Sequence, residues 1–298
     1  MTTSRFGRIL TAMVTPFGED GSIDFDVAAS VATFLSENGS EGIVVAGSTG
    51  EGYALSDEEK LDLFACVAKA VNIPVFAGSG SSDTAHSVAL TKQVAATGAS
   101  GILATTPAYA RPSQVGIAAH LGAIADATTL PVMLYDIPAR TGRKIASETT
   151  IGLARSHANI VALKDASGDL PGAAHVKATL GNSLDLYSGD DALLLPFLAL
   201  GAVGLVSVAA HWAGPEFLAI VLAAEKGEWE IARELNERVR MSCVFEGSEA
   251  YPNPQPSKAA LRYLGFAVGQ CRLPLGPSDG ALDAQAAQVI TQLQAARV

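Results

Sequence analysis

Short apolar runs recur along the chain, with longer stretches of helical periodicity between them. Eight stand out: RILTAMVTP (8–16), GIVVAGSTG (42–50), IPVFAGSG (73–80), SGILATTP (100–107), PVMLYDIP (131–138), IVALKDASG (160–168), LDLYSGDD (184–191) and VGLVSVAA (203–210). Most lack alternating polarity, which predicts strands buried on both faces, as parallel strands between helices are. The intervening LSDEEKLDLFACVAKAV (55–71) opens with Ser56 and Glu59 at capping-box spacing and then repeats apolar residues at helical intervals. Strand–helix alternation of this kind predicts an α/β fold. An open doubly wound sheet uses the same pattern, but eight units fit a (β/α)8 TIM barrel better. Residues 1–226 then form the barrel that carries the active site. Residues 227–298 read as a C-terminal helical extension packed on it, interrupted by YPNPQPS (251–257) and RLPLGPSDG (272–280).

One segment, ALLLPFLALGAVGLVSVAA (192–210), is long and uncharged enough to suggest a membrane span. Pro196, Gly201 and Gly204 break it, Asp190 and Asp191 precede it, and no basic flank follows. It reads instead as a buried helix, a turn and a strand.

Composition narrows the field. The 298 residues are 49% hydrophobic, enough for a large core, and carry a formal net charge of −10. No Lys/Arg cluster and no aromatic–basic interleaving is present, which argues against nucleic acid or an anionic membrane as partner. Cys66, Cys243 and Cys271 are widely spaced with no CxxC pair, the pattern of free thiols in a reducing cytoplasm. The opening MTTSRFGRIL lacks the apolar core and cleavage site of a signal peptide, so a cytoplasmic location is expected.

The barrel reading turns strand ends into candidate chemistry, because active sites of this fold sit at the C-terminal ends of the strands. Ser48 and Thr49 follow the second strand, Thr106 and Tyr109 the fourth, and Tyr135 and Arg140 mark the fifth; Ser188 and Asp190 follow the seventh. The sixth run, Ile160 to Leu163, ends on Lys164, the side chain type that most resists burial. A lysine at an apolar barrel mouth suits imine formation with a carbonyl, the protonated imine then acting as an electron sink. Only a neutral amine attacks, and burial or a neighbouring cation such as Arg140 favours that form. The plainer reading is an ion pair with Asp165, or a lysine snorkelling to solvent. Tyr135, on the adjacent strand, offers a phenol for proton transfer, or simply fills the barrel. Ser48 and Thr49 in GSTGEG supply hydroxyls and turn amides for a carboxylate, though a Gly-rich turn alone is weak evidence. Arg140 has the fork to hold a second carboxylate, or to form a surface ion pair.

Competing motifs fare worse. GSGSSD (78–83) lacks the last glycine of a dinucleotide fingerprint, and no Walker A sequence occurs. The five histidines show no metal-ligand spacing. No basic residue follows strands seven and eight, which argues against a phosphorylated substrate.

With these residues in hand, the chain resembles the dihydrodipicolinate synthase family, within the N-acetylneuraminate lyase group of pyruvate-dependent class I aldolases. The likeness runs nearly full length through GSTGE (47–51), TTPAYARPSQ (105–114), LYDIPARTG (134–142), LKDASGD (163–169), YSGDD (187–191) and NPQPSK (253–258). The resemblance implies condensation of pyruvate with L-aspartate 4-semialdehyde to 4-hydroxy-tetrahydrodipicolinate, toward lysine and diaminopimelate. Lys164 resembles the Schiff-base lysine and Tyr135 the acid/base tyrosine. Ser48 stands where a threonine is usual in a hydroxyl relay, and Tyr109 resembles the tyrosine that completes the relay from a neighbouring subunit. Thr49 is implied to contact the pyruvate carboxylate, Gly189 and the Val206 carbonyl to line the pocket, and Arg140 to bind the semialdehyde. The resemblance further implies no cofactor beyond the imine itself, small-molecule substrates as the only ligands, and a homotetramer built from dimers.

Two departures matter. GSTGE is also the spelling of the sialic acid lyase branch, whereas Arg140 and NPQPSK favour the synthase branch. The pocket that binds lysine as feedback inhibitor in many synthases is eroded: Asp57, Lys60, His86 and Ala108 stand where histidines, an acidic residue and a tyrosine are expected. Two other functions fit the residues: a lyase cleaving a 2-oxo sugar acid to pyruvate and an aldehyde, and a non-catalytic 2-oxoacid-binding sensor.

Overall fold

A computed structural model describes residues 4–296; the first three residues of the N-terminal stretch considered above lie outside them, as do the last two of the chain. Eight strands follow one another in order: β1 (Ile9–Ala12), β2 (Gly42–Val45), β3 (Val75–Gly78), β4 (Gly101–Thr105), β5 (Val132–Asp136), β6 (Ile160–Asp165), β7 (Asp185–Ser188) and β8 (Gly204–Ser207). Each pairs in parallel with the next, and β8 returns to β1, so the sheet closes on itself. The fold is a (β/α)8 TIM barrel, and each of the eight apolar runs contributes one strand.

The helices are α1 (Phe25–Glu37), α2 (Asp57–Ala70), α3 (Thr84–Val94), α4 (Gln114–Asp126), α5 (Pro138–Thr141), α6 (Ser147–Ser156), α7 (Leu170–Leu180), α8 (Leu194–Ala199), α9 (Ala210–Glu225), α10 (Trp229–Phe245), α11 (Gln255–Tyr263) and α12 (Gly280–Ala295). Helix α2 starts as its sequence predicts: Ser56 Oγ accepts from Glu59 N–H, and Glu59 returns the bond to Ser56 N–H. The suspected span divides into α8, a turn and β8. Among the described residues no helix is long and apolar enough to cross a membrane.

Period-two alternation sorts the strand residues. Leu10, Val44, Phe76, Leu103, Met133, Tyr135, Ala162, Tyr187 and Val206 fill the barrel interior. Ile43, Val45, Val75, Ile102, Val132, Leu134, Ile160, Leu163 and Leu186 face outward, into the layer beneath the helices. Strand β6 breaks the alternation once. Val132 pairs with Ile160 but Met133 pairs with Ala162, so Val161 is a bulged extra residue. Counting by twos from outward-facing Ile160 would leave Lys164 facing outward as well. The bulge changes the parity, and Lys164 comes into register with inward-facing Tyr135.

Candidate active site

Lys164 is only 4% exposed, and its Nζ lies 4.1 Å from the centroid of the Tyr135 ring. No hydrogen bond or ion pair engages that nitrogen among the described residues. The pairing with Asp165 that would make Lys164 merely structural is not made. Asp165, one residue on and the last of β6, faces the other way and accepts from Ser167 N–H at 2.8 Å. Burial holds the Asp165 carboxyl above its usual range, and its outward neighbour on β5, Asp136, is pushed up to about 7 for the same reason. Polar groups thus bracket the strand tips outside the barrel while the amine and phenol meet inside.

Gly189, the first residue past β7, closes on this pair. A Cβ built there would lie 3.0 Å from Lys164 Cγ and 2.9 Å from Ala166 Cβ, so any side chain would push the lysine stem aside. Val206 is fully buried in the same interior cluster as Tyr135.

The loop after β2 carries Ser48 and Thr49 in a strained backbone. Ala46 and Glu51 hold φ of 52° and 53°, and a Cβ on Gly52 would fall 2.0 Å from the Ala46 carbonyl oxygen. What holds this loop comes from far along the chain. Asn253 Nδ2 donates to Thr49 Oγ1 at 2.9 Å, and the buried Glu51 carboxylate meets Lys258 Nζ at 2.8 Å. Arg272 N–H donates to the other Glu51 oxygen at 2.8 Å. Arg140, exposed on α5, donates from Nη2 to the Asn253 carbonyl at 3.4 Å. Asn253 therefore joins both of the residues expected to hold carboxylates. Asn253 lies in the NPQPSK stretch, where nothing local gives it a role.

Ser48 and Arg140 line a cleft of about 550 Å³, together with Tyr53, Lys60, His86, Thr106 and Ala108. His86 Nε2 sits 2.7 Å from Asp57 Oδ2, and Lys60 Nζ lies 3.8 Å from Oδ1. Burial lowers the pKa of the Lys60 ammonium. Tyr109 stands apart from the rest. It is 98% exposed at a φ of 67°, and no hydrogen bond links its hydroxyl to Ser48 or Tyr135 within the chain. Among the described residues no cluster of three or more His, Cys, Asp or Glu is placed to hold a metal ion. The three cysteines are free.

A closed parallel barrel with an unpaired buried lysine against a tyrosine at its C-terminal rim fits the class of barrel lyases of the aldolase type. Within that class the chain belongs to the dihydrodipicolinate synthetase family, whose model matches residues 5–293. It is 47% identical over 274 residues to 4-hydroxy-tetrahydrodipicolinate synthase 2 of Halalkalibacterium halodurans, covering 91% of this chain and 93% of that protein. Among solved structures it is similar to DHDPS from Cyanidioschyzon merolae with lysine bound, at a TM-score of 0.93 and 43% identity, covering 97% and 98% of the two chains. It also matches the chloride-inhibited dihydrodipicolinate synthase of Acinetobacter baumannii complexed with pyruvate, at a TM-score of 0.91 and 32% identity over 97% and 99%.

Proposed function

We propose that this chain condenses pyruvate with L-aspartate 4-semialdehyde to 4-hydroxy-tetrahydrodipicolinate, through an imine on Lys164. The observation that carries this reading is the Lys164 amine, buried without an ion-pair partner 4.1 Å from the Tyr135 ring. Full-length relatives with that activity, one of them solved with pyruvate, support the choice of substrates.

In this reading Lys164 attacks the pyruvate ketone and water leaves, giving a protonated imine. Loss of a methyl proton gives the enamine, whose methylene carbon bonds to the aldehyde carbon of the second substrate. The substrate amine then displaces Lys164 and closes the ring. Tyr135 moves the protons, with Ser48 and Tyr109 as its relay. Thr49 holds the pyruvate carboxylate, and Gly189 and the Val206 carbonyl line its pocket. Arg140 takes the carboxylate of the semialdehyde. The imine is the only covalent device required, with no metal or nucleotide.

Tyr109 has a place in the relay only if a second copy covers it. Its near-complete exposure on a positive-φ backbone supports a dimer that exchanges this residue, with two dimers forming the tetramer. The chain divides accordingly into a barrel, residues 1–226, and an extension, residues 227–298, that braces the loop carrying Ser48 and Thr49. Cytoplasmic small-molecule metabolism is the setting this reading requires.

The test is pyruvate consumption with and without L-aspartate 4-semialdehyde. Consumption that depends on the semialdehyde is expected. Pyruvate left untouched would overturn the reading and direct attention to cleavage of 2-oxo sugar acids.

One relative holds lysine, but the feedback-pocket positions here carry a different set. Asp57 is occupied by His86 and Lys60, the buried Lys60 ammonium repels a ligand ammonium, and Ala108 offers no hydroxyl. Millimolar L-lysine is therefore expected to leave the initial rate unchanged, and a halved rate would refute this.

A further inference from the structure

The contacts around the Ser48–Thr49 loop leave one buried proton without an acceptor. Thr49 is 3% exposed, and its Oγ1 accepts from Asn253 Nδ2 at 2.9 Å. An amide N–H only donates, so this bond uses the hydroxyl as an acceptor and leaves its own proton to be given elsewhere. Among the described residues no hydrogen bond takes that proton up. A buried hydroxyl with its acceptor side filled and its donor side open suits a ligand that accepts. A carboxylate oxygen makes the strongest such bond.

The donor is held firmly in place. Ahead of Asn253, Ser248 N–H donates to the Tyr251 carbonyl and Tyr251 N–H to Ser248 Oγ, each at 3.0 Å. The Tyr251 hydroxyl donates to Asp279 Oδ1 at 2.8 Å, tying this turn to the start of α12. Beyond Asn253, α11 is fixed to the same loop by Lys258 and Glu51. Thr49 and Glu51 are therefore gripped by one segment of the extension. Arg140 meets only the Asn253 backbone carbonyl, whereas the side chain bonds Thr49 and, among the described residues, nothing else.

We propose that Asn253 is a positioning residue that sets substrate polarity. By donating to Thr49 Oγ1 it fixes that hydroxyl as a donor to the substrate, so the 2-oxo acid must present an anionic acceptor there. The proposal deepens the reading above and rests on it for the place of Thr49 beside the pyruvate carboxylate.

An aspartate of the same shape reverses the bond. The Asn253 Oδ1 is buried and receives no N–H or O–H, so an aspartate at this position would draw on Thr49 for its donor. Thr49 Oγ1 would then face the ligand only as an acceptor, beside a second negative charge. A ligand bearing an N–H would gain and a carboxylate would lose.

The experiment uses the full chain with pyruvate and with pyruvamide, in which an amide NH2 replaces one carboxylate oxygen. The readout is the ligand concentration that half-saturates borohydride trapping on Lys164, which needs no semialdehyde. Wild type is expected to prefer pyruvate. Asn253→Asp should shift that preference toward pyruvamide by about 10- to 100-fold. Asn253→Ala frees the hydroxyl to rotate and should raise the pyruvate value several-fold, with little change in the semialdehyde KM because the carbonyl that meets Arg140 remains. In a Thr49→Val background the same alanine should change the pyruvate value by less than about twofold, since no hydroxyl is left to orient. A preference unchanged in Asn253→Asp, the result expected of an amide that accepts from Thr49, overturns the proposal. So does an Asn253→Ala effect that persists in full beside Thr49→Val. If pyruvate is not trapped on wild type, the imine reading fails by itself. Calorimetric binding of the two ligands to the same variants then decides the proposal, and absence of pyruvate binding overturns it.

Discussion

Lys164→Ala is expected to remove turnover, by about 10³-fold or more in kcat, while the barrel stays folded. No other amine can take its place. Lys60, the lysine that lines the cleft beside Ser48, lies 3.8 Å from Asp57. The alanine leaves Tyr135 in β5 and Gly189 just past β7 and adds no buried charge, so a wild-type circular dichroism spectrum is the control. The same residue is tested chemically by borohydride with pyruvate. Hydride reduces the protonated imine to a secondary amine, which leaves a stable adduct on one lysine. Peptide mapping should find it on Lys164 in wild type and on no lysine in the variant. A label elsewhere, or activity within tenfold of wild type, would falsify the mechanism at its first step. Retained non-covalent binding of pyruvate does not by itself separate enzyme from sensor. Loss of turnover from a wild type that had it does.

How far the sequence reading reached depended on the range of the interactions involved. The eight strands were legible because a parallel strand buried on both faces is written as a local apolar run. The start of α2 was legible because Ser56 and Glu59 satisfy each other across three residues. Lys164 was legible as an anomaly, a charge closing a buried run. Its direction was not, because the bulge at Val161 is a property of pairing with β5 rather than of the six residues of β6. The supports of the Ser48–Thr49 loop were hidden for a related reason. Asn253 meets Thr49 across 204 positions of chain. Two signals did exist: Glu51 amid glycines, and Lys258 at the head of the apolar stretch that forms α11, are charges with no local partner.

Lys258→Met is expected to destabilise the protein by about 3–5 kcal/mol, and to loosen the substrate loop in doing so. Lys258 is 1% exposed and Glu51 fully buried, so neither charge is shared with water. The ammonium also donates to the Gln270 carbonyl at 2.9 Å and rests 4.2 Å from the Phe17 ring. Even so, burial outweighs Glu51 and lowers the pKa of Lys258. The pair therefore contributes little net stability, and its effect is to fix a position: Glu51 sits at a φ of 53°, two residues past Thr49, and is held there from α11. Removing only the lysine leaves a buried carboxylate facing an apolar methionine, which is where the cost arises. At roughly 2–4 °C per kcal/mol for a chain of this size, the melting temperature should fall by about 6–20 °C. Lys258→Met combined with Glu51→Gln removes both charges and keeps an acceptor for Arg272 N–H, so it should recover much of the loss. The pyruvate KM should follow the same order, highest in the single variant, because Ser48 and Thr49 ride on the loop that Glu51 anchors. A single variant within about 1 kcal/mol of wild type would mean that water reaches Glu51. A double variant as unstable as the single would mean that shape, not charge, locks the loop.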